Sequence, residues 1–560
     1  MANIVPSEQN CCPPAPPDSE VSSGQTVSNS APSQEIFATP GNHSFLQRFS
    51  YGDLDPLQHQ IRLVHAFQKP GSDLIHGNLL PPQKLADISG QYHTISYCAG
   101  SAKVTRPIIL NGLEFNVFAN LDCALRETLA FWRTSDTSEE DCILWIDQIC
   151  INQHSDSERS HQVGFMRDIY SNSKRTFICL TTADEETLSP HPFPWISQGM
   201  EFDKLTSWQY ESMSAYLDSW ESFYRLIERP WWRRAWIRQE FACSQNAVFL
   251  YQYQALDDPA NTKLRGFCEV AKFLISRLPD GYRVESLLLQ PKEQARLEDL
   301  KDACYRAHAH GALEAVISLL NSKDKWNVTF MDLKKLLLSS LQCKASDPRD
   351  KVFALLGLAH PGYNIEPNYD SSNTISEVLI DTAKRIILFE GNLDILSYAI
   401  RLKRAEMSDL PSWVPDWASP ESHRPFIGHS EDYSEEQRNQ SKNDILRSVR
   451  GLLVDVLKEP GASPFFSFFT YEDSITNNMF EVYCPFGTME GDEIWLLEGS
   501  WGPYLLRPVR GGYGGYRLVG EIQNWTFPND QGQDDLQDHF DQLLEDLLIQ
   551  LRYSHVYNNV

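Results

Sequence analysis

Leu144-Trp145-Ile146-Asp147-Gln148-Ile149-Cys150-Ile151-Asn152-Gln153 is an apolar run that closes on two amides and carries one carboxylate near its centre. A short apolar run bounded by polar residues predicts a strand buried on both faces. Asp147 then needs a partner or a purpose, because burying an unpaired carboxylate is costly. Working outward, Asn120 to Trp132 places Leu121, Leu125, Leu129 and Trp132 in one helical stripe, with Asn120 as the predicted N-cap. Upstream lie an extended segment, Arg62 to Phe67, and a short strand, Tyr92 to Ala99, ending at Gly100. Downstream, Glu158 to Asn172 predicts a helix with Val163, Met166, Ile169 and Tyr170 on one face, feeding a further core strand at Thr176 to Leu180. Strand, helix, strand, helix, strand in ~90 residues is the rhythm of a parallel sheet covered on both faces. Ligands of such sheets bind at the carboxyl ends of the strands, where Gly100 and Asn152-Gln153 fall.

The totals narrow the classes. At 560 residues the chain is too long for one core and predicts two or three domains. A net charge of −26 argues against a nucleic-acid surface and against attraction to anionic membranes. No run reaches the ~18 apolar residues of a membrane-spanning helix, and the N-terminus has neither a basic start nor an apolar signal core. Twelve cysteines are scattered, several inside apolar segments (Cys98, Cys142, Cys179), which fits reduced thiols in a cytoplasmic protein. No CxxC pair occurs, so no metal site is predicted.

Residues 1–45, rich in Ser, Pro, Gln and Asn, predict a disordered tail. An α/β domain follows over 46–255, then a helical extension over 256–420. A small antiparallel β unit occupies 421–530, with strands at Glu493 to Glu498, Tyr504 to Val509 and Tyr516 to Ile522. An acidic amphipathic helix over 531–560 closes the chain, its stripe formed by Leu536, Phe540, Leu543, Leu547 and Leu551. Within this frame Ser189 to Met200 reads as a Pro-rich loop, followed by a helix from Trp208 to Ile227. Asp347 to Leu356 reads as a helix stopped by Gly357. Thr374 and Glu377 form a capping box.

Several chemistries are weak on these residues. Gly511-Gly-Tyr-Gly-Gly lacks the Lys-Ser/Thr and the helix of a phosphate loop. Cys150 with His154 or His161 could form a nucleophile pair, but a Cys in an apolar strand more often packs. His308 and His310, two apart on a predicted helix, face different ways. Two carboxylates remain. Asp147 could cap a neighbouring helix, pair with an arginine such as Arg159, or enter a site. The second lies in Arg229-Pro-Trp-Trp-Arg-Arg-Ala-Trp-Ile-Arg-Gln-Glu-Phe. Pro230 suits a first helical turn, and on one helix Trp232, Trp236, Glu240 and Cys243 would share a face while Arg234 and Arg238 share another. Glu240 could bond backbone donors or an arginine, or act in catalysis.

The blocks Tyr92 to Gly100, Leu144 to Gln153 with Glu158-Arg159 and Gln162 to Tyr170, Arg229 to Glu240, Asp347 to Gly357, Gly491-Asp-Glu-Ile-Trp and Tyr516 to Glu521 resemble the fungal heterokaryon incompatibility (HET) domain family. The family usually has a Trp before the glycine of the first block, where this chain has Ala99. HET domains are in turn similar to Toll/interleukin receptor (TIR) domains, which implies a flavodoxin-like sheet with Ile95-Ser96-Tyr97 in its first strand. Trp236-Ile-Arg-Gln-Glu240 resembles the Trp-containing helix that carries the glutamate of TIR-type NAD-cleaving enzymes. The resemblance implies a role in vegetative incompatibility and programmed cell death, through partner contact or self-association, with NAD as substrate and no resident cofactor. It makes Glu240 the catalytic candidate and Ser96, Tyr97, Gly100, Trp145, Asp147 and Trp236 the substrate-binding candidates. Nicotinamide leaves NAD as a neutral molecule, so the reaction needs stabilisation of an oxocarbenium-like ribose more than a general acid. The alternative is a signalling module that acts by self-association without chemistry.

Overall fold

Buried and half-buried side chains alternate over Val64–Gln68 (β1), which turns back through residues 69–74 to pair antiparallel with Ile75–Leu79 (β2). In the computed structural model the described residues are 41–134, 141–198, 213–272, 291–401, 410–418 and 451–521, less short gaps within these stretches. His93–Tyr97 (β3) is buried at every position, as befits a central strand. Thr105–Leu110 (β4) and Leu113–Phe118 (β5) form a second hairpin, and Ala119–Thr134 (α1) leads to Ile143–Trp145 (β6). Next come Asp156–Gly164 (α2), Met166–Ser171 (α3), Arg175–Cys179 (β7), Met213–Ile227 (α4), Ile237–Cys243 (α5), Ala247–Tyr251 (β8) and Gln254–Leu256 (β9).

These nine strands make one sheet in the order β9-β8-β7-β3-β6-β1-β2-β4-β5. Four neighbours, β6-β3-β7-β8, are mutually parallel. Numbered along the chain they stand in the order 2-1-3-4, which is the flavodoxin-like winding. The sheet is mixed as a whole, because β1 joins β6 antiparallel and the hairpins add antiparallel pairs on both flanks. Short turns can join only antiparallel neighbours, as in the hairpins β1-β2, β4-β5 and β8-β9, while β2 meets β4 in parallel across a longer connection. The α/β class read from the sequence holds, with antiparallel additions around the parallel core.

The opening stretch is strand only over Ile143–Trp145; Asp147–Cys150 is a single helical turn. Cys150 N donates to Ile146 O at 2.7 Å and Asp147 Oδ1 accepts Gln148 N at 2.7 Å. Burial on all sides makes a short strand and a helical turn look alike in sequence. The helix predicted from Glu158 to Asn172 is two, broken at Phe165, whose φ of −124° and ψ of 21° are not helical. Pro192–Gln198, expected as loop, is a short helix with Phe193, Trp195 and Ile196 buried. The predicted tail overlaps a short helix, His43–Arg48, whose Phe45 is buried.

Pro291–Ala309 (α6), Ala312–Trp326 (α7), Leu333–Ser339 (α8) and Ile375–Glu390 (α9) have no core of their own. Leu313, Val316 and Leu320 of α7 pack in one apolar cluster with Trp220, Trp231 and Phe249, and Leu336 and Leu379 join Ile95, Leu144 and Trp145 in another. The capping box at α9 is present, with Thr374 N donating to Glu377 Oε2 at 2.7 Å and Glu377 N to Thr374 Oγ1 at 3.3 Å. Gly357 does not stop a long helix, since the helix there covers only Asp350–Phe353. Gly357 instead lets α5 approach. A Cβ at this position would lie 2.6 Å from Gln239 Oε1 and 2.9 Å from Arg167 Cβ, and Gln239 Oε1 accepts Gly357 N at 3.2 Å. Gly357→Ala should therefore lower stability by about 1–3 kcal/mol, as overpacked cores do. Adding Gln239→Ala should return part of that loss in the same melting measurement.

Towards the C-terminus, Gly451–Val456 (β10), Glu459–Gly461 (β11), Ser467–Glu472 (β12) and Met479–Cys484 (β13) precede Glu493–Leu497 (β14), Pro503–Pro508 (β15) and Tyr516–Glu521 (β16). The last three fall on the predicted strands. Two antiparallel sheets result, β10-β14-β15-β16 and β11-β12-β13. The predicted acidic helix over 531–560 and residues 1–40 lie outside the described residues.

Candidate functional site

Pro230–Arg233 is a 3-10 turn, and the helix predicted to run on from it is broken at Arg234, whose φ of −72° and ψ of 141° are extended. The break has a partner. Ala235 N donates to Lys344 O at 2.9 Å and Lys344 N donates to Arg233 O, so residues that would continue the helix are bonded to a distant strand-like segment. The helix restarts at Ile237 as α5. Consequently Trp232, Trp236 and Glu240 do not share one helical face. It is Trp231 that reaches β3, donating from Nε1 to Ser96 Oγ at 2.8 Å.

Ser96 in turn donates its hydroxyl to Glu240 Oε2. Arg234 Nη1 lies 3.6 Å from the same oxygen and also donates to the carbonyl of Tyr97. The Tyr97 hydroxyl contacts Asp147 and lies 3.4 Å from Gln148 Oε1. Ser96, Tyr97, Trp231 and Glu240 are all buried, Glu240 to 2% exposure, while Asp147 is half-buried. The cluster thus joins the carboxyl end of β3, the turn after β6 and the start of α5, beside the point where the strand order reverses. Burial pushes the Glu240 carboxyl above the usual carboxylate range, against the pull of Arg234 and the Ser96 hydrogen bond. Asp147 is raised by burial as well, again opposed by Arg234. One guanidinium serves two carboxylates.

The structure therefore brings together four of the predicted residues, Glu240, Ser96, Tyr97 and Asp147. It places the others elsewhere. Trp236 turns to the helical extension, where its indole hydrogen-bonds the Asp350 carboxyl. Trp145 is fully buried at the end of β6, beside β3 and edge-on to Tyr170 at 5.8 Å. Gly100 is exposed with φ of +79°, and a Cβ there would meet Asn120 Nδ2 at 2.6 Å. Asn120 is not the N-cap of α1. Its amide bridges Cys98 O at 2.8 Å and Ala183 N at 2.8 Å, tying the ends of β3 and β7 across the switch point. Arg159 does not pair with Asp147; it holds Asp156 at 3.0 Å and stacks on Tyr369 at 4.4 Å. Cys150 is buried with its sulfur accepting Ile146 N at 3.4 Å, and burial pushes its thiol up to about 12. His161 bonds Pro56 O at 3.1 Å instead, so Cys150 and His161 form no nucleophile pair.

Two members of the cluster were not legible in the sequence. An unbroken helix puts Arg234 on another face from Glu240 and leaves Trp231 off the stripe, whereas the break at Arg234 brings both to the cluster. A signal did exist, since a carboxylate predicted on a core-facing stripe demands a cation, and the nearest ones stand in its own motif block.

An α/β domain with a flavodoxin-like parallel core and a carboxylate–arginine cluster at its switch point is the class these observations define. Residues 92–240 match the family described as Heterokaryon incompatibility protein (HET). The match runs from the first residue of the first motif block to the glutamate of the cluster. The chain is also similar to Heterokaryon incompatibility protein 6, OR allele, of Neurospora crassa, at 28% identity over 320 residues that cover 49% of this chain and 44% of that protein. The chain therefore spans less than half the length of that relative. No solved structure matches the chain. Among the described residues no helix is long and apolar enough to cross a membrane.

Proposed function

We propose that this chain acts in fungal heterokaryon incompatibility and the cell death that accompanies it, with residues 92–240 as a signalling module working through self-association or partner contact. The HET match and the similarity to the Neurospora crassa protein support the incompatibility role. The observation that carries the module reading is the state of Glu240, which is 2% exposed with Oε2 engaged by Ser96 and facing Arg234. A carboxylate held in this way is a lock between β3 and α5, and substrate does not reach it in this conformation. A second reading, NAD cleavage, draws on the position of the cluster at the switch point and on the half-buried Asp147 beside Tyr97. It requires Arg234 to swing off Glu240 when the protein assembles.

Expression of wild type and Glu240→Gln in a fungal host separates the two. Gln can accept from Ser96 as Glu does, so the variant should accumulate normally. Growth arrest by both proteins with cellular NAD unchanged is the expected result. NAD depletion by wild type that disappears in an equally abundant Glu240→Gln would overturn the module reading in favour of the enzyme.

A further inference from the structure

A cavity of about 190 Å³ lies at the seam between the α/β domain and the helical extension, and none of the residues of the carboxylate cluster lines it. Trp232, Arg233, Arg238, Glu314, Ser318 and Cys343 are among its lining residues. We propose that this cavity is a binding site for a small oxyanion, a phosphate or a short carboxylate.

Three features converge on that chemistry. Arg238 is 3% exposed and fixed, donating to Ser318 Oγ at 3.0 Å and Ser339 O at 2.7 Å, so a buried positive charge is held in the wall and, among the described residues, no carboxylate bonds it. Arg233 is half-buried, and among the described residues its guanidinium makes no hydrogen bond or ion pair. A guanidinium in that position offers the flat fork that carboxylates and phosphates fill. The first turn of α7 also lines the space, and the N-terminus of a 15-residue helix adds a favourable field for a negative ligand.

Glu314 is the opposing charge, exposed on the first turn of α7. With two arginines against one glutamate the lining is net positive. Trp232 and Cys343, both buried, form one apolar wall. The volume is below the ~300 Å³ at which pockets for drug-sized ligands begin, so the cavity suits an ion of a few heavy atoms and excludes a dinucleotide. Such a ligand is independent of the NAD reading.

The test uses the full chain, with melting temperature followed against inorganic phosphate, acetate, and sodium chloride at matched ionic strength. Phosphate or acetate should raise the melting temperature saturably while chloride does not, and the responding anion identifies a phosphoryl or a carboxylate ligand. Arg233→Gln should weaken the apparent affinity about tenfold or more. Glu314→Gln should strengthen it several-fold. Ala315→Leu, which fills the cavity without changing charge, should abolish the response and so serves if the arginine variant folds poorly. An equal response in Ala315→Leu, or no saturable response to either anion beyond that of chloride, overturns the proposal.

Discussion

Arg234→Met should be among the most damaging single substitutions in the chain, costing about 3–5 kcal/mol of stability, the range found when one partner of a buried ion pair is removed. The reason is the ratio of charges. Arg234 faces Glu240 at 3.6 Å and offsets the burial of Asp147 as well, so its loss strands two carboxylates together. The same substitution removes the donor to the Tyr97 carbonyl at the end of β3. Ser96 alone would remain to stabilise Glu240. Denaturant unfolding, read as a shift of midpoint at constant slope, measures the loss.

The double variant Arg234→Met/Glu240→Gln distinguishes charge from packing. With the carboxylate neutralised, most of the deficit should return, because contacting charges are strongly non-additive. A single-variant loss below about 1 kcal/mol, typical of an exposed pair, would mean that the cluster is open to water and that the locked reading of Glu240 is wrong.

The relation between sequence and fold at this cluster is instructive. Strand β7 was legible because a strand buried on both faces leaves an apolar run, here Phe177-Ile178-Cys179-Leu180. Strand β3 mixes His93, Thr94 and Ser96 with Ile95 and Tyr97 and was legible as a short segment ending at Gly100. Asp147 and Glu240 were legible as misfits, since a carboxylate inside an apolar pattern contradicts its surroundings. Their connection was hidden. It depends on the helix breaking at Arg234, and that break is made by backbone hydrogen bonds to Lys344, far downstream. Local periodicity contains no trace of a distant carbonyl. Asn120 was misread for a similar reason: its side chain satisfies Cys98 and Ala183, which are neighbours only once the parallel sheet exists.

The same seam sets the pH dependence of stability. Asp350 is buried at 4% exposure between the α/β domain and the helical extension, where the Tyr369 hydroxyl donates to Oδ1 at 2.5 Å and the Trp236 indole also bonds it. Arg159 lies over the Tyr369 ring, and Arg349 pairs with the adjacent Asp347 at 2.8 Å. Burial first and the Asp347 charge second raise the Asp350 carboxyl from 3.8 to about 7. Between those values the folded chain holds a proton that the unfolded chain has released. Stability therefore falls as pH rises across that window, is highest from this group below the unfolded value, and levels off above the folded one. The full excursion is about 4 kcal/mol at most, from ~1.4 kcal/mol per unit. Asp350→Asn keeps an acceptor for Tyr369 and Trp236 and cannot ionise. Across pH 4 to 7 the difference in unfolding free energy, wild type minus variant, should decline steadily, leaving Asp350→Asn the more stable protein at neutral pH. A difference that stays flat would show that Asp350 is ionised throughout, with Arg159 or Arg349 turned onto it.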